Sequence, residues 1–245
     1  MMKIEKYPVK SGKTEAYLAL QNTIPPTDEY MHYRLNGNAA DVCEDIFFVA
    51  HSDGVALSRL WMCYPKHKNA VSNWGAFFTL EGYRGQGIGA KVLKFCFDEI
   101  AEMKNPPTAL LCTAGSVRLT EMYRKYGFVP AIHGTDCGPL YRPLGDSPAG
   151  FQKFCEKYYT PAEKLRAVKA DFGWRNEVDC LLKFAMLDMG KSYDIDGETD
   201  LNLILLHTPK RDVRILLTED DKCVGWMLDG KAKIHPAYAN LPIEV

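Results

Sequence analysis

The most restrictive feature of the sequence is a glycine-rich turn between an apolar, β-like segment and an amphipathic helix. The apolar segment covers residues 75–80, and the turn reads Arg84-Gly85-Gln86-Gly87-Ile88-Gly89. Glycines let backbone N–H groups converge without obstruction by a Cβ, and the first N–H groups of a helix carry positive potential. A strand, a glycine turn and a helix in this order therefore predict a binding site for an anion such as a phosphate.

The segment after the turn has the period of a long helix. Its apolar positions recur on one face, at Ile88, Val92, Cys96, Ile100 and Met103. Asn105-Pro106-Pro107 ends the pattern, because proline cannot continue a helix. We therefore expect a helix that starts within the turn and extends to about Lys104.

Two nucleotide-binding motifs compete for the same turn. A Walker A loop requires Gly-Lys-Ser/Thr, but the chain has Ile88 where the lysine would stand, six residues after Gly82. The dinucleotide pattern G-x-G-x-x-A is satisfied by Gly85, Gly87 and Ala90. That pattern expects an acidic residue about 20 residues later, at the end of the next strand, where this chain has residues 110–113, Leu-Leu-Cys-Thr. A nucleotide-binding enzyme is therefore the weaker alternative.

A turn-rich segment at residues 145–150, Gly-Asp-Ser-Pro-Ala-Gly, predicts a boundary between two domains. The chain of 245 residues exceeds the usual length of one domain, about 100 to 200 residues. We expect a first domain at residues 1–144, a linker at 145–150 and an α+β domain at 151–245.

Short β-rich runs and a second helix are expected in the first domain. The runs cover residues 46–50, 55–62, 75–80 and 109–113, and a further strand opens at Phe128. Ser116 is a predicted helix N-cap, and Gly127 can take the left-handed conformation after the helix ends near Tyr126.

The C-terminal domain combines helical and β-like patterns. Helices are predicted at Phe151–Tyr158, after the capping box Thr160-Pro161-Ala162-Glu163, and from Asn176 to a stop at Gly190. The β-like runs that follow predict an antiparallel meander with strands at Leu201–His207, Val213–Thr218, Cys223–Leu228 and Lys231–His235. We expect the helices to pack on one face of this sheet.

Charge and composition exclude several classes of partner. Thirty basic and 31 acidic residues give a net charge of -1, which offers no electrostatic footprint for nucleic acid or an anionic membrane. The hydrophobic fraction of 47% supplies residues for a core, yet no apolar run approaches the roughly 20 residues that span a bilayer. The start of the chain lacks a signal-peptide core, and we expect a cytoplasmic protein.

The eight cysteines are widely scattered and form no C-x-x-C pair. In a chain without a secretory signal, buried reduced thiols are the better interpretation. His133, Asp136 and Cys137 in one loop are the nearest approach to a metal cluster. We expect no metal.

The glycine turn resembles the R/Q-x-x-G-x-G/A signature of the GNAT superfamily of acetyl-CoA-dependent N-acetyltransferases. Tyr123-Arg124-Lys125-Tyr126-Gly127-Phe128 is similar to the later L-Y-x-x-x-G-F segment of that family. The resemblance covers about residues 46–144 and includes the family's strand, helix, strand, helix, strand order. It implies a mixed, mostly antiparallel sheet flanked by helices.

The resemblance implies that acetyl-CoA lies along the strand ending at Thr79, with its pyrophosphate on the amides from Gln86 to Ala90. Backbone N–H near Phe78 or Thr79 would polarise the thioester as an oxyanion hole does. Ser116 stands where the family often has asparagine. The implied cofactor-binding residues are Phe78, Thr79, Arg84, Gly85, Gln86, Gly87, Ile88, Gly89, Ala90 and Ser116.

The family often uses the tyrosine that matches Tyr123 as the general acid for the departing thiolate, and the alternative is that its ring packs in the core. The general base stays open among Glu81, Glu44, His51, His133 and a water. The implied reaction is direct transfer of an acetyl or longer acyl group to a primary amine of a small molecule or peptide. A non-catalytic acyl-CoA sensor is the alternative.

The resemblance leaves two interpretations of the C-terminal domain. It either covers the amine site or is a degenerate second GNAT-like half, since Cys223-Val224-Gly225-Trp226 faintly resembles a middle strand of such a domain. A homodimer is compatible with the sequence, which determines neither the acceptor amine nor the oligomeric state.

Overall fold

The computed structural model describes residues 1–10, 12–66, 71–189 and 201–244, without the side chains of residues 188 and 189. The chain divides into two compact units: Met1–Lys66 with Ser72–Pro106, and His67–Val71 with Pro107–Val245. These limits differ from the predicted boundary at residues 145–150, which stays a prediction. Within the described ranges, no helix is long and apolar enough to cross a membrane.

The first unit is a sheet of antiparallel strands with three helices. The strands are β1 (Lys3–Pro8), β2 (Cys43–Ser52), β3 (Val55–Pro65) and β4 (Val71–Thr79), each paired with the next; the helices are α1 (Glu15–Gln21), α2 (Glu29–Leu35) and α3 (Ile88–Ala101). The predicted strands and the long helix after the glycine turn are confirmed. Phe47, Val49 and Trp61 of the sheet pack with Leu20 and Met31 of the helices in one buried cluster.

A bulge interrupts β4 just before the glycine turn. Arg59 of β3 lies opposite Phe78 and Trp61 lies opposite Gly75, so β4 carries one more residue than β3 over this interval. Ala76 takes the extra bend with a φ of 48°, a conformation uncommon for a residue with a Cβ. The buried Arg59 guanidinium donates to the Ala76 carbonyl at 2.6 Å and stabilises the bend.

The second unit begins with three strands and the short helix α4. Its elements are β5 (Ala109–Ala114), α4 (Val117–Arg124), β6 (Val129–Pro130) and β7 (Gly138–Pro143). The strands are antiparallel in the order β5-β7-β6. The predicted strand at 109–113, the Ser116 cap and the left-handed Gly127, with a φ of 84°, are confirmed.

Helices and a second sheet form the rest of this unit. The elements are α5 (Phe151–Tyr158), β8 (Leu165–Lys169), α6 (Arg175–Met189), α7 (Leu201–His207), β9 (Val213–Leu217), β10 (Cys223–Leu228), β11 (Lys231–Ile234) and β12 (Ile243–Glu244). The sheet order is β11-β10-β9-β8-β12, with β8 and β12 parallel and the other neighbours antiparallel. The α+β class and the mostly antiparallel pairing are confirmed.

The predicted helix after Thr160 is wrong. The backbone N–H groups of Glu163 and Lys164 donate to the Glu219 carboxylate at 3.4 and 3.2 Å, and that of Leu165 donates to the Pro242 carbonyl at 2.8 Å. These bonds occupy the N–H groups that a helix would use, and the chain continues directly into β8. A capping pattern is a local signal, and tertiary pairing overrides it here.

The predicted strand at Leu201–His207 is also wrong, because this segment is α7. Leu201, Ile204 and Leu205 all contact one core cluster, and this spacing is that of one helix face. A short apolar run does not distinguish a strand from a buried helix by itself.

The predicted strands at 213–218, 223–228 and 231–235 and the helix at 151–158 are confirmed. The third predicted helix is α6, but Asn176 lies inside it and is not its N-cap, because α6 already begins at Arg175. The Gly190 stop lies outside the described residues.

One aromatic core links the elements on either side of the predicted linker. Tyr141 of β7 packs its ring against Phe151 and Phe154 of α5, with centroids 5.4 and 5.1 Å apart. Its hydroxyl donates to the Pro148 carbonyl at 2.7 Å. The same cluster contains residues of β5, α6, β9 and β10, so the segment at 145–150 crosses a continuous core.

Candidate functional site

The glycine turn has the backbone that its sequence predicts. Gly85 and Gly87 have φ values of 77° and 74°, in the left-handed region where a side chain costs roughly 1–2 kcal/mol. Gly87 is the N-cap of α3 and provides no side chain to cap the helix. The glycines therefore allow the chain to turn from β4 into α3 and leave the helix N-terminus uncovered by a cap.

The first N–H groups of α3 are suited to an anion. The first bond of the helix runs from the Lys91 N–H to the Gly87 carbonyl at 3.1 Å. The N–H groups of Ile88, Gly89 and Ala90 precede it and have no carbonyl within the helix to bond. Because Gly87 and Ala90 are exposed, a ligand can approach these amides.

Position 89 requires a glycine because of close packing and not because of its backbone conformation. A Cβ at this position would lie 2.8 Å from Cζ of Phe77 and 3.1 Å from Oγ1 of Thr79. The first turn of α3 therefore packs closely on the end of β4. The third glycine of the motif sets the distance between helix and strand, whereas Gly85 and Gly87 set the backbone direction.

Two polar side chains brace the turn. Arg84 donates from Nε to the Thr79 carbonyl at 3.0 Å, and Gln86 donates from Nε2 to the Gly82 carbonyl at 3.0 Å. Both residues are exposed. The terminal guanidinium nitrogens of Arg84 have no hydrogen-bond partner among the described residues, so its charge is available beside the helix N-terminus.

Phe78 and Thr79, the two residues predicted to polarise the thioester, direct their backbone N–H groups to opposite sides of β4. The Leu80 N–H donates to the Leu57 carbonyl of β3 at 2.9 Å. Since N–H groups alternate in direction along a strand, Phe78 also directs its N–H to β3, and Thr79 directs its N–H to the other side. Ser58 donates to the Phe78 carbonyl at 2.8 Å and lies 3.0 Å from Oγ1 of Thr79.

Ser116 caps α4 in the second unit. Its hydroxyl oxygen accepts from the Leu119 N–H at 3.3 Å, and its own backbone is extended, as expected for an N-cap. The residue is exposed. Ser116 is therefore the N-cap of α4, and its contact with the cofactor stays a prediction.

Tyr123 is buried in the second unit, with 5% of its surface exposed. Its ring lies 5.8 Å from that of Phe128. Burial raises the pKa of the Tyr123 hydroxyl well above the usual value for tyrosine, and the Cys112 thiol raises it further. Tyr123 is therefore protonated at neutral pH and is a weaker acid than tyrosine in water.

The candidate general bases lie in different environments. Glu44 and Glu81 are exposed, as is His133, which lines a cavity of about 860 Å³ in the second unit. His51 is fully buried, with Nε2 lying 3.1 Å from the Glu5 carboxylate and Nδ1 lying 3.6 Å from that of Glu15. No geometric feature of the described residues selects one of the four.

The His51 cluster was not anticipated from the sequence. Three ligand atoms, one each from Glu5, Glu15 and His51, all lie within 4.8 Å of one another. This spacing could hold a metal ion. Lys3 already donates to Glu15 at 2.8 Å and neutralises part of this charge. These residues are distant in sequence, so no spacing pattern could have revealed them. Within the described ranges, His133, Asp136 and Cys137 form no comparable group.

Comparison with known proteins identifies the segment that contains the turn. The family model described as the acetyltransferase (GNAT) domain matches residues 43–130. This segment is a GNAT acetyltransferase domain. A GNAT acetyltransferase domain supports an acyltransferase whose donor is acyl-CoA, and the match covers this segment and not the rest of the chain. The match includes the glycine turn of the first unit and the Tyr123-to-Phe128 segment of the second.

Solved structures include several similar acyltransferases. An acyl-CoA N-acyltransferase from Pseudomonas aeruginosa is 20% identical, with 58% of this chain and 99% of that chain covered and a TM-score of 0.43. A GNAT acetyltransferase from Staphylococcus aureus is 19% identical, with 59% and 100% covered and a TM-score of 0.43. One from Elizabethkingia anophelis, solved with acetyl-CoA bound, is 18% identical, with 58% and 98% covered and a TM-score of 0.39. No curated protein matches the chain.

Proposed function

We propose that this protein is an N-acetyltransferase that moves an acetyl group directly from acetyl-CoA to a primary amine of a small molecule or peptide. The observation that carries the proposal is the uncapped N-terminus of α3 behind two left-handed glycines, within the GNAT segment. A diphosphate presents several anionic oxygens, and converging amides at a helix N-terminus bind such oxygens.

The pyrophosphate of acetyl-CoA binds the N–H groups of Ile88, Gly89 and Ala90 in this proposal. The Arg84 guanidinium adds positive charge beside them, because its terminal nitrogens have no other partner among the described residues. The remaining turn residues act through the backbone: Gly85 and Gly87 provide the left-handed bends, and Gln86 closes the turn on Gly82.

The thioester carbonyl accepts a hydrogen bond from the backbone of β4 in this proposal. Of the two predicted donors, Thr79 is the better one, because its N–H points away from β3 while that of Phe78 points toward β3. The bond would strengthen as negative charge develops on the carbonyl oxygen when the amine attacks. Phe78 then contributes packing, with its ring 5.3 Å from the Arg59 guanidinium carbon.

Tyr123 is proposed to donate a proton or hydrogen bond to the departing CoA thiolate. Its raised pKa keeps the hydroxyl protonated, as a donor requires, but also makes complete proton transfer more costly. Stabilisation of the thiolate by a hydrogen bond avoids part of this cost. The support for this role is the match of Tyr123 to the motif tyrosine of the family.

Ligand binding followed by turnover tests the proposal. Thermal unfolding of the full chain should shift upward with acetyl-CoA and CoA, and not with NAD or ATP, because a ligand stabilises only the state that binds it. CoA release should then be followed with a panel of primary amines. Binding without turnover on any amine would favour the acyl-CoA sensor, and stabilisation by NAD alone would refute the acetyl-CoA site.

Replacement of Gly87 by valine should remove most of the acetyl-CoA shift. A β-branched residue strains the left-handed backbone at this position and moves the N–H groups that follow it. Gly82→Ala is the matched control, because a Cβ there meets no atom within 4 Å and its φ is not left-handed. The melting temperature without ligand reports whether the variant folds; a folded Gly87→Val variant with an unchanged shift would exclude the turn from the site.

A further inference from the structure

The imidazole of His51 is buried in the first unit without a hydrogen bond. His51 lies near the end of β2 and is fully buried, and neither Nδ1 nor Nε2 has a hydrogen-bond partner among the described residues. Burial of a polar atom without a partner is destabilising, and buried polar side chains are nearly always satisfied. The position of His51 therefore calls for a ligand that its nitrogen atoms can bind.

Two carboxylates face this imidazole. Lys3 of β1 pairs with His51 of β2, and Glu5 lies on the same face of the sheet because side chains alternate along a strand. Oε2 of Glu5 lies 3.1 Å from Nε2 of His51. Glu15 is the first residue of α1, and its Oε1 lies 3.6 Å from Nδ1 of His51. Three elements therefore place polar groups around one histidine.

The distances are those of ligands around one metal ion. Zinc binds imidazole nitrogen and carboxylate oxygen at about 2.0–2.2 Å, so neighbouring ligand atoms of a tetrahedral site lie roughly 3.3 Å apart. The 3.1 Å between His51 and Glu5 is close to this value. One ligand atom from each of the three residues lies within 4.8 Å of the other two, and the side chain of Glu15, which is 47% exposed, is free to approach further.

The direction of the His51–Glu5 contact also favours a metal ion over a proton. The oxygen of Glu5 is near enough to Nε2 for a hydrogen bond, yet the two atoms are not aligned for one. A proton on Nε2 would lie along the ring direction and would not point at this oxygen. Two ligands of one ion, in contrast, meet at an angle, and neither atom needs to point at the other.

The charges around His51 favour a cation as well. Lys3 donates to Oε2 of Glu15 at 2.8 Å and balances one of the two carboxylates. This bond leaves Oε1 of Glu15 on the side of His51. A hydrogen bond of this kind orients a ligating carboxylate in many metal sites.

We propose that Glu5, Glu15 and His51 bind one zinc ion, with water as the fourth ligand. Imidazole nitrogen combined with carboxylate oxygen suits zinc, whereas magnesium and calcium prefer oxygen ligands alone. The ion joins β1, β2 and the first turn of α1. It also occupies a nitrogen of His51 and so removes this residue from the candidates for the general base. The site does not depend on acetyl transfer.

Zinc titration of the full chain, without an affinity tag, tests this site. Every protein carries Cys137→Ser, because Cys137 is the exposed cysteine of the chain and its thiol could bind zinc. After treatment with a chelator, competition with a chromophoric zinc indicator should give one ion per chain. Zinc should raise the melting temperature, and magnesium should not, because a ligand stabilises the state that binds it.

Substitution of the ligands identifies the site. Glu5→Gln and Glu15→Gln should each weaken zinc binding at least about tenfold, since even a partner outside the ligand shell contributes this much. Glu102→Gln, at an exposed residue after α3, is the matched control and should bind zinc as the Cys137→Ser parent does. Because Glu15 is exposed, its variant keeps the test decisive if His51→Gln does not fold.

The zinc site is refuted if zinc neither binds nor stabilises the parent, or if the folded Glu5→Gln and Glu15→Gln variants bind zinc as tightly as the parent. A parent that ignores zinc, together with a Glu15→Gln variant that is less stable, would identify a protonated His51 between two carboxylates instead. The acetyl-CoA shift is measured separately on the chelator-treated parent, so failure of the zinc site is distinguished from failure of the acetyl-CoA site.

Discussion

The proposed role of Tyr123 can be tested by removing its hydroxyl oxygen alone. Tyr123→Phe keeps the buried ring beside Phe128 and removes the hydroxyl proposed to stabilise the thiolate. We expect kcat to fall by roughly 10²-fold or more, the usual contribution of a general acid. Acetyl-CoA affinity should be unchanged, because the proposed role arises only as the C–S bond breaks.

Tyr126→Phe is the matched control for this prediction. Tyr126 belongs to the same motif, is half-buried and has no proposed role in the reaction. Steady-state CoA release with saturating acetyl-CoA measures kcat for both variants. Equal activity of Tyr123→Phe and the wild type would leave the tyrosine as a core residue only.

Glu177 links pH to stability in the second unit. Its carboxylate is fully buried and accepts from the Tyr158 hydroxyl at 2.6 Å. Burial raises the pKa of Glu177 to about 7, against the lowering effects of the Tyr158 bond and the Lys222 ammonium. The folded protein therefore holds this proton more tightly than the unfolded chain, whose carboxyl titrates near 4.5.

The free energy of unfolding should consequently decrease as the pH rises from about 5 to above 7, because the folded state must then bury a charged carboxylate. Urea denaturation of the wild type and Glu177→Gln measures the effect. Glutamine keeps an acceptor for Tyr158 and does not titrate, so the variant should lose less stability over the same interval. If the free energy of unfolding depends on pH in the same way in both proteins, Glu177 does not titrate in this range.

At the level of the element, α4 depends on its N-cap. Ser116 satisfies one of the N–H groups that the first turn of a helix leaves without a partner. Ser116→Ala should reduce the free energy of unfolding by about 1 kcal/mol, the typical effect of removing a cap. Chemical denaturation measures this loss.

Ser116→Asn is the informative companion variant. Asparagine is as good an N-cap as serine and is the residue that the GNAT family often has here. It should preserve stability and leave acetyl-CoA binding intact. If Ser116→Ala is as stable as the wild type and Ser116→Asn, the hydrogen bond from the Leu119 N–H to the Ser116 hydroxyl contributes nothing measurable to the stability of α4.

Individual elements also show where local signals were insufficient. The Thr160-to-Glu163 pattern would start a helix in isolation, but Glu219, more than 50 residues away, accepts from the N–H groups of Glu163 and Lys164. Leu201–His207 has apolar residues that suit a strand, yet Leu201 and Ile204 are buried as one helix face. Both errors arise from partners that are distant in sequence.

For the whole molecule, the core of the second unit decides what a truncation does. Ala109, Leu111 and Tyr141 share one cluster with Phe151, Phe154, Leu165, Cys180, Leu216 and Val224. Removing the chain after Gly150 would expose the apolar faces of β5 and β7. We therefore expect the truncated protein to be insoluble or to lack a cooperative unfolding transition, since buried apolar area is the main source of stability.

The sequence-based hypothesis for the C-terminal part predicts a different result. If these residues only cover the amine site, the truncated chain should stay folded, bind acetyl-CoA normally and show a higher KM for the amine. Expression of residues 1–150, followed by scanning calorimetry with and without acetyl-CoA, distinguishes the two. A cooperative, ligand-shifted transition would support two independent domains with a boundary at 145–150.

The sequence by itself determined the features that depend on neighbouring residues. Gly85 and Gly87 require left-handed backbone, Ser116 caps the helix that follows it, and the period from Ile88 to Ile100 is that of α3. Together with the Tyr123-to-Phe128 segment, they indicated the GNAT family. Turn geometry, capping and amphipathic periodicity are short-range properties, and they can therefore be inferred from adjacent residues.

Only the tertiary structure decided the features that depend on distant residues. It buried Tyr123, brought His51 between Glu5 and Glu15 and directed the Thr79 N–H away from β3. Burial and strand pairing arise from packing between distant segments, and they control pKa and hydrogen-bond direction. The phosphate-binding turn could thus be predicted from its own residues, whereas the protonation state and surroundings of the other site residues could not.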